Sequence, residues 1–476
     1  MRQLISFLTK LLLLTTVLFF TAMWPHLSVN HIEGDQTRAC CKTSAKACAP
    51  IPITTITTIS IPGHYCLAHA LVGATPLISI ATSDVLLDLN GQFLQTTGAT
   101  EAILFDNTTG RSNITITNGA IHGSGIGSIG ILINVSLDST TNDHIVLSNL
   151  NIDGCTNNGI SAVTFDTLVI DRCNLHGCDS NLFLIGSNTI IKDSAFNESV
   201  SGYGALLSRC NAVVVNNSSF NFNSFGGMHL VDSKNIIVSN AYFLNNQGDG
   251  CTGLNAFDLT FDHCSFSENV NKGIFIDAPT LSPFLAVGYK FVECQAMNNC
   301  DNGFTFSTAT SDIVLSRCVA SGNCPGNGFV LTTTIGSIAT VVECVAQDNS
   351  TGFDMSASFG NGLIKACNAS GNGLANLSDG CFSGGGCAAG GCGFNDRATS
   401  LYQYVSNVAQ GNGLNPAAGM VSTTTDTNYC INGAPTEYTP ITGGPGVSAP
   451  FSQLGRSTNT NMFNAGITAW DNVTLQ

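Results

Sequence analysis

The sequence predicts an all-β solenoid, a parallel β-helix wound in coils of three short strands. Three observations carry this. First, one phrase recurs: Leu168-Val169-Ile170-Asp171-Arg172-Cys173-Asn174-Leu175 lines up with Leu259-Thr260-Phe261-Asp262-His263-Cys264-Ser265-Phe266 and with Ile313-Val314-Leu315-Ser316-Arg317-Cys318-Val319-Ala320. Second, its last apolar position falls at Phe93, Ile121, Ile152, Leu175, Phe196, Phe220, Phe243, Phe266, Ala296, Ala320, Ala346, Ala369 and Ala409, mostly at steps of 21 to 26 residues, with loop insertions in the longer steps. Third, the strands alternate apolar and polar with period two, as in Asn113-Ile114-Thr115-Ile116-Thr117, with no helical stripe. A self-similar period near this length marks stacked repeats that each bury a face on their neighbours.

The elements follow in chain order. Arg2 and Lys10 flank the start of an apolar run from Leu11 to Phe20, so residues 1–28 read as a signal peptide or N-terminal anchor. Residues 29–59 read as a linker holding Cys40, Cys41 and Cys48, and the coils occupy 60–413. Each coil ends in Asn/Gly punctuation, as in Asn157-Asn158-Gly159-Ile160, Asn271-Lys272-Gly273-Ile274 and Gly326-Asn327-Gly328-Phe329, where glycine is expected to supply a positive φ. Stacked about 4.8 Å apart, roughly thirteen coils make a rod on the order of 60 Å long. Residues 414–476 turn to Thr, Pro, Gly and Ser but keep Tyr429, Tyr438, Phe451, Phe463 and Trp470, so they are expected to cap the last coil or cover part of the outer strip.

The coil from Ile61-Pro62-Gly63-His64-Tyr65 through Val85-Leu86-Leu87-Asp88-Leu89-Asn90-Gly91, followed by Ser112 to Ile121, resembles the opening of many right-handed parallel β-helices of the pectin lyase-like superfamily. The resemblance covers about three quarters of the chain and implies the fold. Activity does not follow from it, because the architecture carries lyases, hydrolases, esterases, adhesins and phage spikes.

Composition sets limits. Only 10% of residues are charged, 50 of 476 are Gly, and the net charge is −15 with no basic stripe, which argues against nucleic acid or an anionic membrane as partner. No span beyond the N-terminal signal reads as membrane-crossing. Twenty cysteines in an exported chain suggest disulfides. Position argues otherwise for five of them. Cys264, Cys294, Cys318, Cys344 and Cys367 share one inward place, two residues before the terminal apolar position, and parallel Cβ vectors suit a disulfide poorly. The better disulfide candidates are the turn cysteines Cys155 with Cys178, and Cys300 with Cys324. No C-x-x-C pair accompanies Cys381, Cys387 and Cys392, so a zinc site there is disfavoured. Of ten Asn-x-Ser/Thr sites, Asn349 among them, chance in an Asn-rich chain explains most.

Three residues before the terminal position runs a turn column, from Asn90, Asn118 and Asn149 through Arg172, Asp193, Asn217, Asn240 and His263 to Glu293, Arg317 and Glu343. Its asparagines are expected to bond one to the next, and its charges to stack as Arg172 on Asp193 and Glu293 on Arg317 on Glu343.

In enzymes of the superfamily the polymer lies along the outer face of one strand column. The corresponding outward residues here are Leu132, Ser161, Phe183, Leu206, His229, Thr252, Phe275, Thr305, Val330 and Asp354. His229 is the one imidazole among them, with Asp232 and Asp277 just beyond, so these three are the candidate catalytic residues; Phe183 and Phe275 are candidates for stacking on sugar rings. The motifs of polygalacturonases are missing, and no dense acidic group provides a calcium site, so calcium is possible from the resemblance but not indicated, and no metal or other cofactor is expected. The expected role is an exported carbohydrate-associated or cell-surface binding protein whose partner is a polysaccharide or cell-surface glycan. A polysaccharide lyase or glycoside hydrolase acting on the same face, and a purely structural envelope protein, are the alternatives.

Overall fold

The computed structural model describes residues 50–105, 110–134, 142–277, 288–309, 312–333, 337–355, 358, 361–373, 393–397, 401–410 and 429–432. The signal segment 1–28, Cys40, Cys41 and Cys48, the insertion with Cys381, Cys387 and Cys392, and nearly all of 414–476 lie outside them.

The chain is a parallel β-helix of three strands per coil. One coil shows the plan: Gly226–Val231, Lys234–Ser239 and Tyr242–Leu244 are its first, second and third strands. Each pairs in parallel with its counterpart one coil on, Asp249–Leu254, Phe257–Asp262 and Ser265–Ser267. Thirteen second-position strands correspond to the sequence phrase, and two more precede them. These are Ile51–Ile53 and Gly63–Leu67, so among the described residues the stack begins at Ile51, inside the stretch 29–59 assigned to a linker. At the other end Tyr429–Asn432 pairs with Phe394–Arg397, so one strand of the segment 414–476 joins the first-strand column.

Period-two alternation turns every second side chain inward, and stacking sets like on like. Phe196, Phe220, Phe243 and Phe266 form one interior column with ring centroids 5.1, 5.1 and 4.9 Å apart. Phe304, Phe329, Phe353 and Phe394 form another at 5.0, 4.8 and 4.8 Å. These separations equal the strand spacing, so the offset rings stay in van der Waals contact at each step. The inward position in the coil of residue 93 belongs to Leu94, which pairs with Ile121, while Phe93 is exposed. Leu87 pairs with Ile116 and Leu94 with Ile121, so the turn at Asn90 and Gly91 is two residues longer than its neighbour and the inward position falls one residue later than Phe93.

The five cysteines of the repeat position are all buried free thiols. Their neighbours in the same place are small or polar: the Cys173 backbone N–H donates to Ser194 Oγ at 3.1 Å, and Cys367 N–H to Asn407 Oδ1 at 2.8 Å. The proposed turn disulfides are absent. Cys155 and Cys178 are buried free thiols, adjacent because their coils are in register, and Cys300 is free as well. Cys324 is disulfide-bonded, to a cysteine other than Cys300.

Between the second and third strands the turn column from Asn90 to Glu343 has left-handed backbone throughout, with φ between 48° and 60° at all eleven named positions. Asparagine tolerates that conformation best after glycine, which accounts for its frequency there. The side-chain pairing only partly matches expectation. Asn149 Nδ2 donates to Asn118 Oδ1 at 3.2 Å, and Arg317 pairs with Glu293. Arg172 instead turns to the adjacent Asp171 at 3.0 Å, and Asp193 accepts from Asn217 Nδ2 at 2.6 Å.

The continuous asparagine ladder lies elsewhere, three residues after the terminal apolar position. Asn223, Asn246, Asn269, Asn299, Asn323, Asn349 and Asn372 are fully buried in seven consecutive coils. Each of the first six donates from Nδ2 to the next Oδ1, at 2.8 to 3.1 Å, and its backbone N–H donates to that same oxygen at 3.0 or 3.1 Å. Asn349 is therefore a buried structural residue and no glycosylation acceptor in the folded chain.

The ladder also explains the punctuating glycines. Gly159, Gly273, Gly303, Gly328 and Gly352 do not have positive φ. At Gly250, an equivalent position, a Cβ would sit 2.5 Å from the Gly273 carbonyl oxygen and 2.9 Å from Asn269 Nδ2. Glycine is required because the amide ladder and the next coil's backbone fill the place of a side chain.

Candidate functional site

The outward ladder of the first strands is in the register read from the sequence. Leu132 pairs with Ser161, Ser161 with Phe183, Phe183 with Leu206, Leu206 with His229, and His229 with Thr252. Thr252 pairs with Phe275, then Thr305, Val330 and Asp354 follow. Flat parallel stacking turns one repeat position into a continuous strip.

The residues gathered around His229 differ from those expected. Asp232 lies in the turn three residues further on, roughly 10 Å along an extended chain, with φ 50° and its Oδ1 accepting from Asn255 Nδ2 at 3.1 Å. Asp277 ends its strand two residues beyond Phe275 and two coils above His229. Both carboxylates belong to the far edge of the strip and do not converge on the imidazole.

The near edge does converge. Three residues before each strip position lies a second column, in which Tyr203 pairs with Gly226 and Gly226 with Asp249. Because Gly226 has no side chain, the Tyr203 ring leans across it and meets His229 edge-on, with centroids 4.6 Å apart and planes at 81°. Phe225 also meets Tyr203 edge-on, with ring centroids 5.9 Å apart. Asp249 Oδ2 accepts from Thr252 Oγ1 at 2.8 Å and its Oδ1 from the Lys272 N–H at 3.0 Å. Lys272 Nζ pairs with Asp301 at 3.1 Å and lies 4.9 Å from the Phe275 ring centre. Phe275 thus already carries a cation over one face, and Phe183 is half-buried further down the strip.

The electrostatics follow from partial burial. Both ring nitrogens of His229 are covered and without a hydrogen-bond partner. Burial pushes its pKa below the usual imidazole value, against the opposing pull of Asp249. Burial and the Asp249 charge together push the Tyr203 phenol up. At neutral pH the pair is therefore an uncharged imidazole under an uncharged phenol.

Exposed apolar side chains precede the first strands of these coils. Phe222 is 56% and Phe225 59% exposed in the turn that leads into the strand of His229, and Val200 is 61% exposed one coil earlier. Phe222 holds a left-handed backbone at φ 58°, unusual for an aromatic residue, because Asn223 beside it is fixed in the ladder. Among the described residues no group of three or more His, Cys, Asp or Glu side chains could hold a metal ion, and no helix is long and apolar enough to cross a membrane.

Tyr203, Asp249 and Lys272 escaped the sequence reading. The available signal was their shared repeat position three residues before the strip, masked by Gly226 in the same column.

Fold and register together define a right-handed parallel β-helix with one continuous strip of outward first-strand positions. The sequence pattern described as the right handed beta helix region matches residues 134–280 and 180–338. No curated protein matches the chain. Among solved structures it is similar to the A-module of mannuronan C-5 epimerase AlgE6 from Azotobacter vinelandii, at 8% identity over 84% of this chain and 91% of that one, with a TM-score of 0.35. It is also similar to the DFA-IIIase of Arthrobacter chlorophenolicus A6 in complex with DFA-III, at 10% identity over 73% and 84%, TM-score 0.39. A third is tailspike protein 2 of the Escherichia coli O157:H7 bacteriophage CAB120, at 11% identity over 75% and 44%, TM-score 0.34.

Proposed function

We propose that this is an exported protein that binds a polysaccharide or cell-surface glycan along the outer strip, centred on the coils of Tyr203, His229 and Asp249. The carrying observation is the aromatic group of exposed Phe225 packed on half-buried Tyr203, in the same column as Asp249, whose carboxylate accepts from Thr252 and from the Lys272 N–H; Phe222 is a further exposed ring in the turn before that strand. Sugar rings present apolar C–H faces and a rim of hydroxyls, so they call for flat aromatic surface next to hydrogen-bonding groups. Export is supported by the apolar run from Leu11 to Phe20 behind Arg2 and Lys10.

Binding is favoured over turnover because the His229 nitrogens are covered and Asp232 and Asp277 lie away from them. A general base must come within hydrogen-bond reach of the proton that it removes. The test is a glycan-binding panel on the full chain, with Tyr203→Ala and Phe225→Ala. Binding that weakens at least about tenfold in either variant supports the reading, because a lost aromatic contact of about 1.4 kcal/mol corresponds to that ratio. Product formation from any polymer, abolished in His229→Ala, would establish the enzymatic alternative instead.

A further inference from the structure

We infer that the ligand of the strip is an uncharged polysaccharide rather than a polyuronate or other polyanion. This rests on the strip being a glycan site and concerns which glycans it takes.

The charge inventory of that face carries the inference. The outward ladder from Leu132 to Asp354 contains no Lys or Arg. On the near edge the cation facing the strip is Lys272, and it is already committed, its Nζ held by Asp301 at 3.1 Å and lying over Phe275. On the far edge Arg209 and Lys234 are exposed, but Asp232 lies in the turn that leads into Lys234 and one coil on from Arg209, and Asp277 ends the same edge two coils further. Carboxylates of Asp249, Asp301 and Asp354 sit on or beside the strip, within a chain whose net charge is −15. A polyuronate brings one negative charge per sugar. Laid along this face, it would meet like charge at several successive coils and find no unpaired lysine on the strip, which raises its energy and slows its approach.

The same groups suit a neutral chain. Each oxygen of Asp249 accepts one hydrogen bond from the protein and retains a lone pair for a hydroxyl donor. A sugar hydroxyl can donate to it, whereas a uronate carboxylate, being acceptor only, cannot. Thr252 Oγ1, whose proton goes to Asp249, can accept, the Tyr203 phenol can donate or accept, and Phe222 and Phe225 supply exposed aromatic area that is indifferent to salt. The uncharged state of the His229 and Tyr203 pair at neutral pH fits the same chemistry.

The experiment measures binding of the full chain to β-glucan, mannan and chitin oligosaccharides on one side and polygalacturonate and alginate on the other, each at low and tenfold higher salt. Wild-type protein, Tyr203→Ala, Phe225→Ala and Asp301→Lys are compared, with circular dichroism to verify that each is folded. The expected result is binding to a neutral glycan that changes by less than about twofold with salt, since no ion pair is screened, and that is lost in Tyr203→Ala. Asp301→Lys, which removes a carboxylate and releases Lys272, should create measurable polyuronate binding. Wild-type binding to a polyuronate that salt weakens and Tyr203→Ala abolishes would overturn the uncharged-ligand inference and leave the strip as the site. Binding of any glycan untouched by Tyr203→Ala and Phe225→Ala, or no binding across both sets, would overturn the strip reading and the inference with it.

Discussion

Replacing Asn269 by alanine should be among the most damaging single changes in the fold. Asn269 is fully buried at the middle of the ladder. Its Oδ1 accepts the Asn246 backbone N–H at 3.0 Å and the Asn246 Nδ2 at 2.9 Å. Its own Nδ2 donates to the Phe243 carbonyl at 3.0 Å and to Asn299 Oδ1 at 2.9 Å. Alanine removes the Oδ1 acceptor and strands two buried donors of Asn246. The acceptors on the other side suffer less, because Asn299 Oδ1 keeps the backbone N–H of residue 269 at 3.0 Å. At about 1–3 kcal/mol per orphaned buried donor, the cost is about 2–6 kcal/mol. Asn113→Ala is the control. It removes one exposed side-chain bond, to Asp84 Oδ1 at 2.8 Å, and sets an alanine at φ 56°, together costing about 1–2 kcal/mol. The assay is equilibrium unfolding in guanidinium followed by two probes, since coincident transitions are needed before a stacked repeat is treated as two-state. If Asn269→Ala proves no more destabilising than Asn113→Ala, the ladder is not a source of stability and the coil turns are held by something other than their buried amides.

Gly250→Ala should cost about 1–3 kcal/mol, because the new methyl meets backbone oxygen at 2.5 Å and cannot relax without moving the next coil, whereas Gly288→Ala, with open space around it, should be tolerated in the same unfolding assay. Native protein should leave Cys264, Cys294, Cys318, Cys344 and Cys367 unlabelled by a thiol alkylating agent that modifies all five after denaturation, and Cys318→Ser should cost about 1–3 kcal/mol by placing a hydroxyl in a thiol stack; rapid native labelling of the five would contradict their burial. Burial pushes the Cys173 thiol up to about 12 and the Cys210 thiol to about 11. The folded state thus holds these protons more tightly than the unfolded state, and stability should be intact below about pH 9 and fall as pH rises from there toward 12; a flat thermal midpoint across that window would rule this out. For His229 the sign is opposite. Its folded pKa is depressed, so its contribution is present above about pH 6.5 and is lost as pH falls below that value, and His229→Gln should flatten the acid side of a Tm-against-pH curve.

The sequence by itself determined the solenoid, the inward columns and the outward strip. The reason is that strand alternation and stacking are repetitive and local. Once Cys264, Cys294, Cys318, Cys344 and Cys367 share a phase, parallel register puts them in one column, and the same arithmetic sets Phe183, Leu206, His229 and Thr252 side by side. The tertiary structure alone decided what happens at the turns, where the direction of a side chain depends on backbone conformation and on the coil next door. Arg172 and Arg317 share the same left-handed backbone, yet Arg172 pairs with Asp171 beside it in the chain while Arg317 pairs with Glu293 of the neighbouring coil. The amide ladder settled three residues after the terminal position, where the chain is buried and its backbone N–H groups lack strand partners. The glycines beside it answer to that ladder's volume and not to their own φ. The site shows the same division. His229 was legible as the imidazole of the outer strip, but Tyr203 reaches it only because Gly226, one coil on, leaves room for a ring to cross, and that is a relation between neighbouring coils that no single repeat contains.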